Sequence, residues 1–427
     1  MRIFYFLGLL AIFTVGLFAT FLPEVSQLKT GGPINPGDTA WILTASGLVL
    51  LMTPGLSFFY GGMVRKKNVI STMLQSMVAL GVVTVIWISV GFSLSFGESL
   101  GGFIGNPMTY LFYRGVGVAT HPDFSPTIPF ALFSLFQLKF AIITPALVSG
   151  AFAERVKFSS YLIFMGLFSL FIYAPLAHAT WHPEGFLRVW GVLDFAGGTV
   201  VHISAGMAAL AGSIYFGPRR EQSHQAAHIP YVILGTGLLW FGWFGFNAGS
   251  SLAANEVATI AFMNTATASA VAMMTWMFVE RFQGRKTTAL GACIGAVVGL
   301  VAITPGAGFV SIGSSVLIGF ITSIVSNIAL SIKTKSGLDD TLDVFPCHGL
   351  GGIVGMILTA VFAKDVGLIA GQTKTFWYHL LALGIVMIYC FVVSYGLYYL
   401  TNLMTPLRVT DQEEAEGLDM SQHGERI

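Results

Sequence analysis

Long apolar runs dominate the chain. Beyond the first thirty residues, eleven segments approach or exceed the roughly 20 residues a helix needs to cross a bilayer. They lie at 40–63, 69–96, 127–152, 158–179, 195–216, 229–250, 257–279, 288–304, 310–332, 344–362 and 375–402. Residues of this kind have no water-facing surface to spend on a soluble fold. Composition agrees: 55% of the 427 residues are hydrophobic and only 10% are charged, against about 25% in soluble domains. The expected fold is an all-α polytopic membrane protein. A net charge of +1 gives no sign of nucleic-acid binding. Cys293, Cys347 and Cys390 are scattered through apolar runs without metal-site spacing and read as small buried side chains.

Residues 1–30 are read apart. A short cationic start, Met1-Arg2, precedes an apolar stretch to about Phe21 and then turn-forming residues from Gly31 to Gly37. This is the layout of a signal peptide, with an uncleaved extra helix as the alternative. The membrane domain is then 37–402 and a tail follows at 403–427. Loop charges orient it. Arg65-Lys66-Lys67, Arg155 with Lys157, Arg219-Arg220, Arg281 with Arg285-Lys286, and Lys333 with Lys335 follow the odd-numbered spans, and Arg408 follows the last. The opposite loops carry only Arg114, Arg188, Lys364 and Lys374. Positive residues stay in the cytoplasm, so the N-terminus is expected outside and the C-terminus inside.

Two spans share a pattern. Spans five and ten each begin near an Asp (Asp194, Asp343) and carry a His soon after (His202, His348). Ile143-Thr144-Pro145 and Ile303-Thr304-Pro305 also correspond. Five spans per half give the copies opposite orientations, an inverted five-helix repeat with a path near the midplane. Polar side chains inside spans are expensive and face a cavity or partner. One buried His reads as a satisfied core hydrogen bond, but two at matching places suggest a shared site. A metal site lacks a third ligand at sensible spacing. Asp194 and Asp343 read first as helix caps, and a carboxylate at the outer mouth would also favour a nearby cation. Phe136 and Phe140 share a helix face, as do Phe246 and Ser250. Such spacing is usual for packing, and the sharper reading is an aromatic cage for a small cation.

The chain resembles the ammonium transporter family (Amt/Mep/Rh), in its Amt branch, from about Gly37 to Glu425. The resemblance is carried by Phe59-Tyr60-Gly61-Gly62 with Lys67-Asn68, Gly150-Ala151-Phe152-Ala153-Glu154-Arg155, Asp194 to His202 (DFAGGTVVH), Trp243 to Ser250 (WFGFNAGS), Asp343-Val344-Phe345 before His348-Gly349, and, less specifically, Glu416-Gly417-Leu418-Asp419 with His423-Gly424-Glu425. It implies eleven helices around a pore in each subunit of a homotrimer in the inner (cytoplasmic) membrane, without a cofactor or enzymatic activity. It assigns Phe136, Trp181 and Ser250 to external ammonium recruitment, Phe140 and Phe246 to a ring gate, and His202, His348, Trp243 and Thr304 to the pore, with Asp194 beside the entrance. The tail would meet neighbouring subunits and a PII-type signalling protein.

Chemistry fits those roles. Ammonium donates four hydrogen bonds and is attracted to aromatic faces, whereas potassium cannot donate or lose a proton. An apolar passage penalises the charged form. Deprotonation at the aromatic site, with ammonia passing and the imidazoles able to relay a proton, is therefore expected. One residue departs from the pattern. Lys139 in Phe136-Gln137-Leu138-Lys139-Phe140 stands where the family usually has an apolar or small residue. Either it meets a neighbouring helix or subunit, or its charge opposes cation entry and the protein is an ammonium sensor that transports little. A gas channel of the Rh type is the third alternative.

Overall fold

A computed structural model describes every residue except 1, 24, 25, 28 and 222–224, and no side chain is described at 2, 4 and 5. The chain is mostly helical. In order, the long apolar helices are α1 (Arg2–Phe21), α2 (Pro36–Met63), α3 (Lys66–Phe96), α4 (Phe130–Ala151), α5 (Phe158–Val189), α6 (Gly198–Phe216), α7 (Ile229–Gly249), α8 (Glu256–Phe282), α9 (Ala289–Ile303), α10 (Ile312–Ser336), α11 (Phe345–Phe362) and α12 (Lys374–Met404). Helices satisfy their own backbone groups, which is why an apolar chain favours them over long strands. Among the described residues the β-strands are two short antiparallel pairs in the loop between α3 and α4, Ser99–Leu100 with Ile104–Gly105 and Thr120–His121 with Ser125–Pro129, and a single bridge joins Val156 to Arg408.

Ten of these helices are long and apolar enough to span a bilayer. The expected span 288–304 is shorter. It is α9, with 15 residues, or about 22 Å at 1.5 Å per residue. It ends where Thr304 and Pro305 turn the chain. Nearly all of α9 is buried among other helices, so protein rather than lipid surrounds it.

Small residues set how closely the helices cross. A Cβ placed on Gly206 of α6 would collide with the backbone of Gly349, and one on Gly198 would press against Pro305. Without Cβ atoms, α6 and the start of α11 meet backbone to backbone. Both carry a π-helical turn at this crossing, Gly198–Ile203 and Phe345–Gly349. Such turns insert an extra residue, so His202 and His348 leave the regular helical register.

Carboxylates cap both turns: Asp194 does so as expected, whereas the cap expected of Asp343 is supplied by Asp340. Asp194 accepts from the N–H groups of Gly197, Gly198 and Thr199 at 2.6–2.8 Å and from the Thr199 hydroxyl. At the other end Asp340 accepts the Phe345 N–H at 2.7 Å. Asp343 instead has a left-handed backbone, φ 59°, and pairs with Lys333 Nζ at 2.6 Å. Asp339, Asp340 and Asp343 all precede the turn, and chain spacing does not choose among them.

The tail is packed rather than solvated. Thr410 and Glu413 form a capping box on the short helix α13 (Asp411–Glu416). Asp419 accepts the Ile70 and Ser71 N–H groups at the start of α3. Asn68 accepts from Leu418 N, and Arg408 pairs with Glu414. Buried Glu154 takes Arg65 and Arg219, and Arg219 also takes Asp339. These charges gather at the end of the bundle where the tail lies.

Candidate functional site: a vestibule, a ring pair and two imidazoles

The ends of α4, α5 and α7 and the loop before α6 surround an open vestibule with a free volume of about 600 Å³. Trp181, Asp194, Ser250, Phe140, Gln137 and Arg188 are on its wall. Trp181 is held in place by its indole N–H, which donates to the Asp194 carbonyl at 3.1 Å. Ser250 caps α7, and its hydroxyl donates to the Phe246 carbonyl at 2.9 Å. With its proton committed, Ser250 presents lone pairs to a donor in the vestibule. The Asp194 carboxylate is saturated by its four donors and among the described residues has no ion-pair partner. A cation in the vestibule would therefore feel its field rather than its direct contact.

Phe136, expected beside Trp181 and Ser250, is not on the wall. It is fully buried, set edge-on behind Phe140 at 4.9 Å between centroids and packed against Gly249. Its place is taken by Phe140 and Gln137. Helical spacing put Phe136 and Phe140 on one face but could not say which ring lies in front.

Below the vestibule Phe140 and Phe246 close the way, with centroids 4.2 Å apart and planes 31° from parallel. Beyond them a passage runs past Met52, Leu56, Ile143, Leu147 and Val297 to the two imidazoles. Its free volume is about 10 Å³, near the least that holds one water, ~10–15 Å³. His202 Nδ1 and His348 Nδ1 lie 3.3 Å apart. Trp243 stacks on His202 at 5.4 Å, and Phe246 is 6.1 Å from the same ring. Trp243 Nε1 donates to Thr304 Oγ1 at 2.9 Å. Thr304 itself is buried behind this wall.

Two residues of the site escaped the sequence reading. Asp340 is one. The other is His379 of α12, whose Nε2 accepts the Leu193 N–H at 2.8 Å while Nδ1 donates to the Met356 carbonyl at 3.0 Å. It ties the loop bearing Asp194 to α11 and α12. A His inside an apolar run was the available signal, the same one that pointed to His202.

Lys139 lines neither cavity. It is partly exposed on the outer side of α4 beside Leu135, and none of the described residues gives it a hydrogen bond or ion pair. Among the described residues no group of three or more His, Cys, Asp or Glu could hold a metal ion.

Comparison with known proteins gives a consistent picture. The family described as Ammonium Transporter Family matches residues 40–427. A putative ammonium transporter of Methanothermobacter thermautotrophicus is 44% identical over 402 residues, covering 92% of this chain and 98% of that protein. The crystal structure of Candida albicans Mep2 superposes with a TM-score of 0.84 at 34% identity, covering 89% of this chain and 88% of that one. A structure titled Sensor Amt Protein gives 0.83 at 30% identity, covering 91% and 98%.

Proposed function

The chain belongs to the ammonium transporter family, and from that premise we propose how this multi-pass membrane protein, an ammonium transporter, handles its cargo. Ammonium enters from outside and rests against Trp181 and Phe140, donating to Ser250 under the field of Asp194. Phe136 serves this site by backing Phe140. The ion loses its proton before or at the Phe140–Phe246 pair, because a passage too small for a hydration shell disfavours charge. Ammonia then moves past His202 and His348, whose nitrogens offer hydrogen bonds where the apolar walls offer none.

The observation that carries this reading is the contrast in free volume, about 600 Å³ above the ring pair and about 10 Å³ below it. Potassium would have to shed its water at the rings and gain nothing in return. Proteoliposomes tested with ammonium, methylammonium and potassium should show uptake or current with the first two only. Potassium flux equal to ammonium flux would overturn the proposal.

The finer architecture follows the same reading. Eleven spans, counting α2 to α12 with the short α9, put the N-terminus outside and the tail in the cytoplasm of an inner membrane, consistent with the loop charges. Residues 1–30 act as a signal peptide, 37–402 form the transport domain in an inverted five-helix repeat, and 403–427 form a regulatory tail for a PII-type partner. A homotrimer would cover Lys139. A lone cation facing lipid at mid-helix costs about 2.5–3.5 kcal/mol on insertion scales, so a protein neighbour there is favourable. The sensor alternative requires the Lys139 charge near the pathway. Its position on the outer side of α4, away from both cavities, favours transport.

A further inference from the structure

The hydrogen bonds around the imidazoles have a direction, and it can be read from one hydroxyl. Thr304 is the C-cap of α9. Its Oγ1 accepts from Trp243 Nε1 at 2.9 Å, and indole is only ever a donor. The same hydroxyl lies 2.8 Å from the Leu300 carbonyl, one turn back, and 3.4 Å from His202 Nε2. A hydroxyl has one proton. The carbonyl can only accept and is much the nearer, so the proton points to Leu300. What Thr304 turns towards His202 is a lone pair.

His202 Nε2 must then be the donor in its contact with Thr304. At 3.4 Å the bond is long, but it is the one partner of Nε2 among the described residues. A neutral imidazole has one N–H, so His202 Nδ1 is bare and accepts from His348 Nδ1 across 3.3 Å. That places the His348 proton on Nδ1 and leaves its Nε2 unprotonated. Among the described residues no group donates to that nitrogen. His348 lines the narrow passage, whereas Thr304 stands behind it.

We infer that Thr304 is a positioning residue that fixes the proton order of the histidine pair, holding His202 as the Nε2–H tautomer and making His348 Nε2 the pair's one free acceptor. The inference rests on the transport reading, in which ammonia passes these rings. It says where ammonia donates a hydrogen bond: to His348 and not to His202. It also makes the pair asymmetric as a proton path. From His348 the donors run through His202 to Thr304 and end at the Leu300 carbonyl, which cannot carry the proton on. A proton relayed through both rings first requires His202 to release Thr304 and change tautomer.

Nitrogen-15 NMR of the histidine-labelled full chain in lipid bilayers tests this directly, since protonated and bare ring nitrogens give separate resonances. His202→Asn and His348→Asn spectra assign the signals. The native protein should show His202 protonated at Nε2 and His348 at Nδ1. Thr304→Ser keeps the hydroxyl and should keep that pattern. Thr304→Val removes the acceptor and should shift the tautomer ratio by about fivefold or more, the scale of one net hydrogen bond. A native His202 protonated at Nδ1 overturns the inference, and so does a Thr304→Val spectrum identical to the native one. If Thr304→Val does not fold, the native and Thr304→Ser spectra still decide it. A native protein that moves no ammonium would sink the transport reading and leave the tautomer result standing on its own.

Discussion

The two carboxylates that start α6 and α11 do the same local job in opposite surroundings. Asp194 caps the turn that carries His202 and meets only uncharged donors, three backbone N–H groups and a hydroxyl. Asp340 caps the turn that carries His348, but Lys333 donates to its carbonyl and to Asp343 beside it. The outer cap therefore keeps an uncompensated negative charge on the vestibule wall, while the inner one is embedded among paired charges. Two similar caps hold two similar turns, and only one of them favours a cation. That asymmetry lies in the caps rather than in the imidazoles, one of which each turn supplies.

The largest effect should come from breaking the outer cap. Asp194→Ala strands four donors and removes the charge. Hydrogen bonds to an ionised group are worth about 1.5–3 kcal/mol each, so ammonium flux into proteoliposomes should fall about 100-fold or more, while Asp194→Glu retains part of it. Flux within tenfold of native in Asp194→Ala would contradict the role assigned to the outer cap.

The inner cap should respond less, and to pH. Burial, with the charge of Asp343 adding to it, pushes Asp340 up to about 6. A folded value above the unfolded one means that protonation favours the folded state. The contribution is fully present below the ordinary carboxylate value and is lost as pH rises through about 6. Glu154 has the opposite sign. Burial alone would raise it, but Arg219 and Arg65 together outweigh that and hold it low, so its contribution fails only as pH falls below the carboxylate range. Asp340 by itself therefore favours the folded state at pH 5 over pH 7, whereas His121 and His423, held low by burial, work the other way. Asp340→Asn should lower the thermal unfolding temperature at pH 5 relative to that at pH 7 by about 2–4 °C compared with the native protein, the scale of ~1 kcal/mol in a chain of a few hundred residues, with flux reduced less than in Asp194→Ala. An unchanged difference in Asp340→Asn would show that another group titrates.

The smallest effect belongs to Lys139, which touches neither end of the path. Lys139→Met should change ammonium flux by less than about twofold, on the scale of a substitution away from the machinery. A rise of tenfold would place its charge on the ammonium pathway and restore the sensor reading.

The sequence alone determined that this chain lives in lipid, where its helices lie to within a few residues, apart from the longer far end of α5, and that two histidines and a carboxylate sit at costly depths. Those conclusions need only hydropathy and the cost of polar groups in hydrocarbon, both of which are local properties. The motif around Asp194 and His202 was legible for the same reason, since its cap and turn are formed by neighbours in the chain. Tertiary structure decided the rest. It placed Phe140 in front of Phe136, gave the inner cap to Asp340 rather than Asp343, recruited His379 to hold the Asp194 loop, turned Lys139 away from the path, and brought Thr304 to His202. Each of these depends on which helix faces which at a crossing, and glycine contacts such as Gly206 against Gly349 set those crossings. Side-chain spacing along one helix gives a face, but only the helix packed against it says what that face meets.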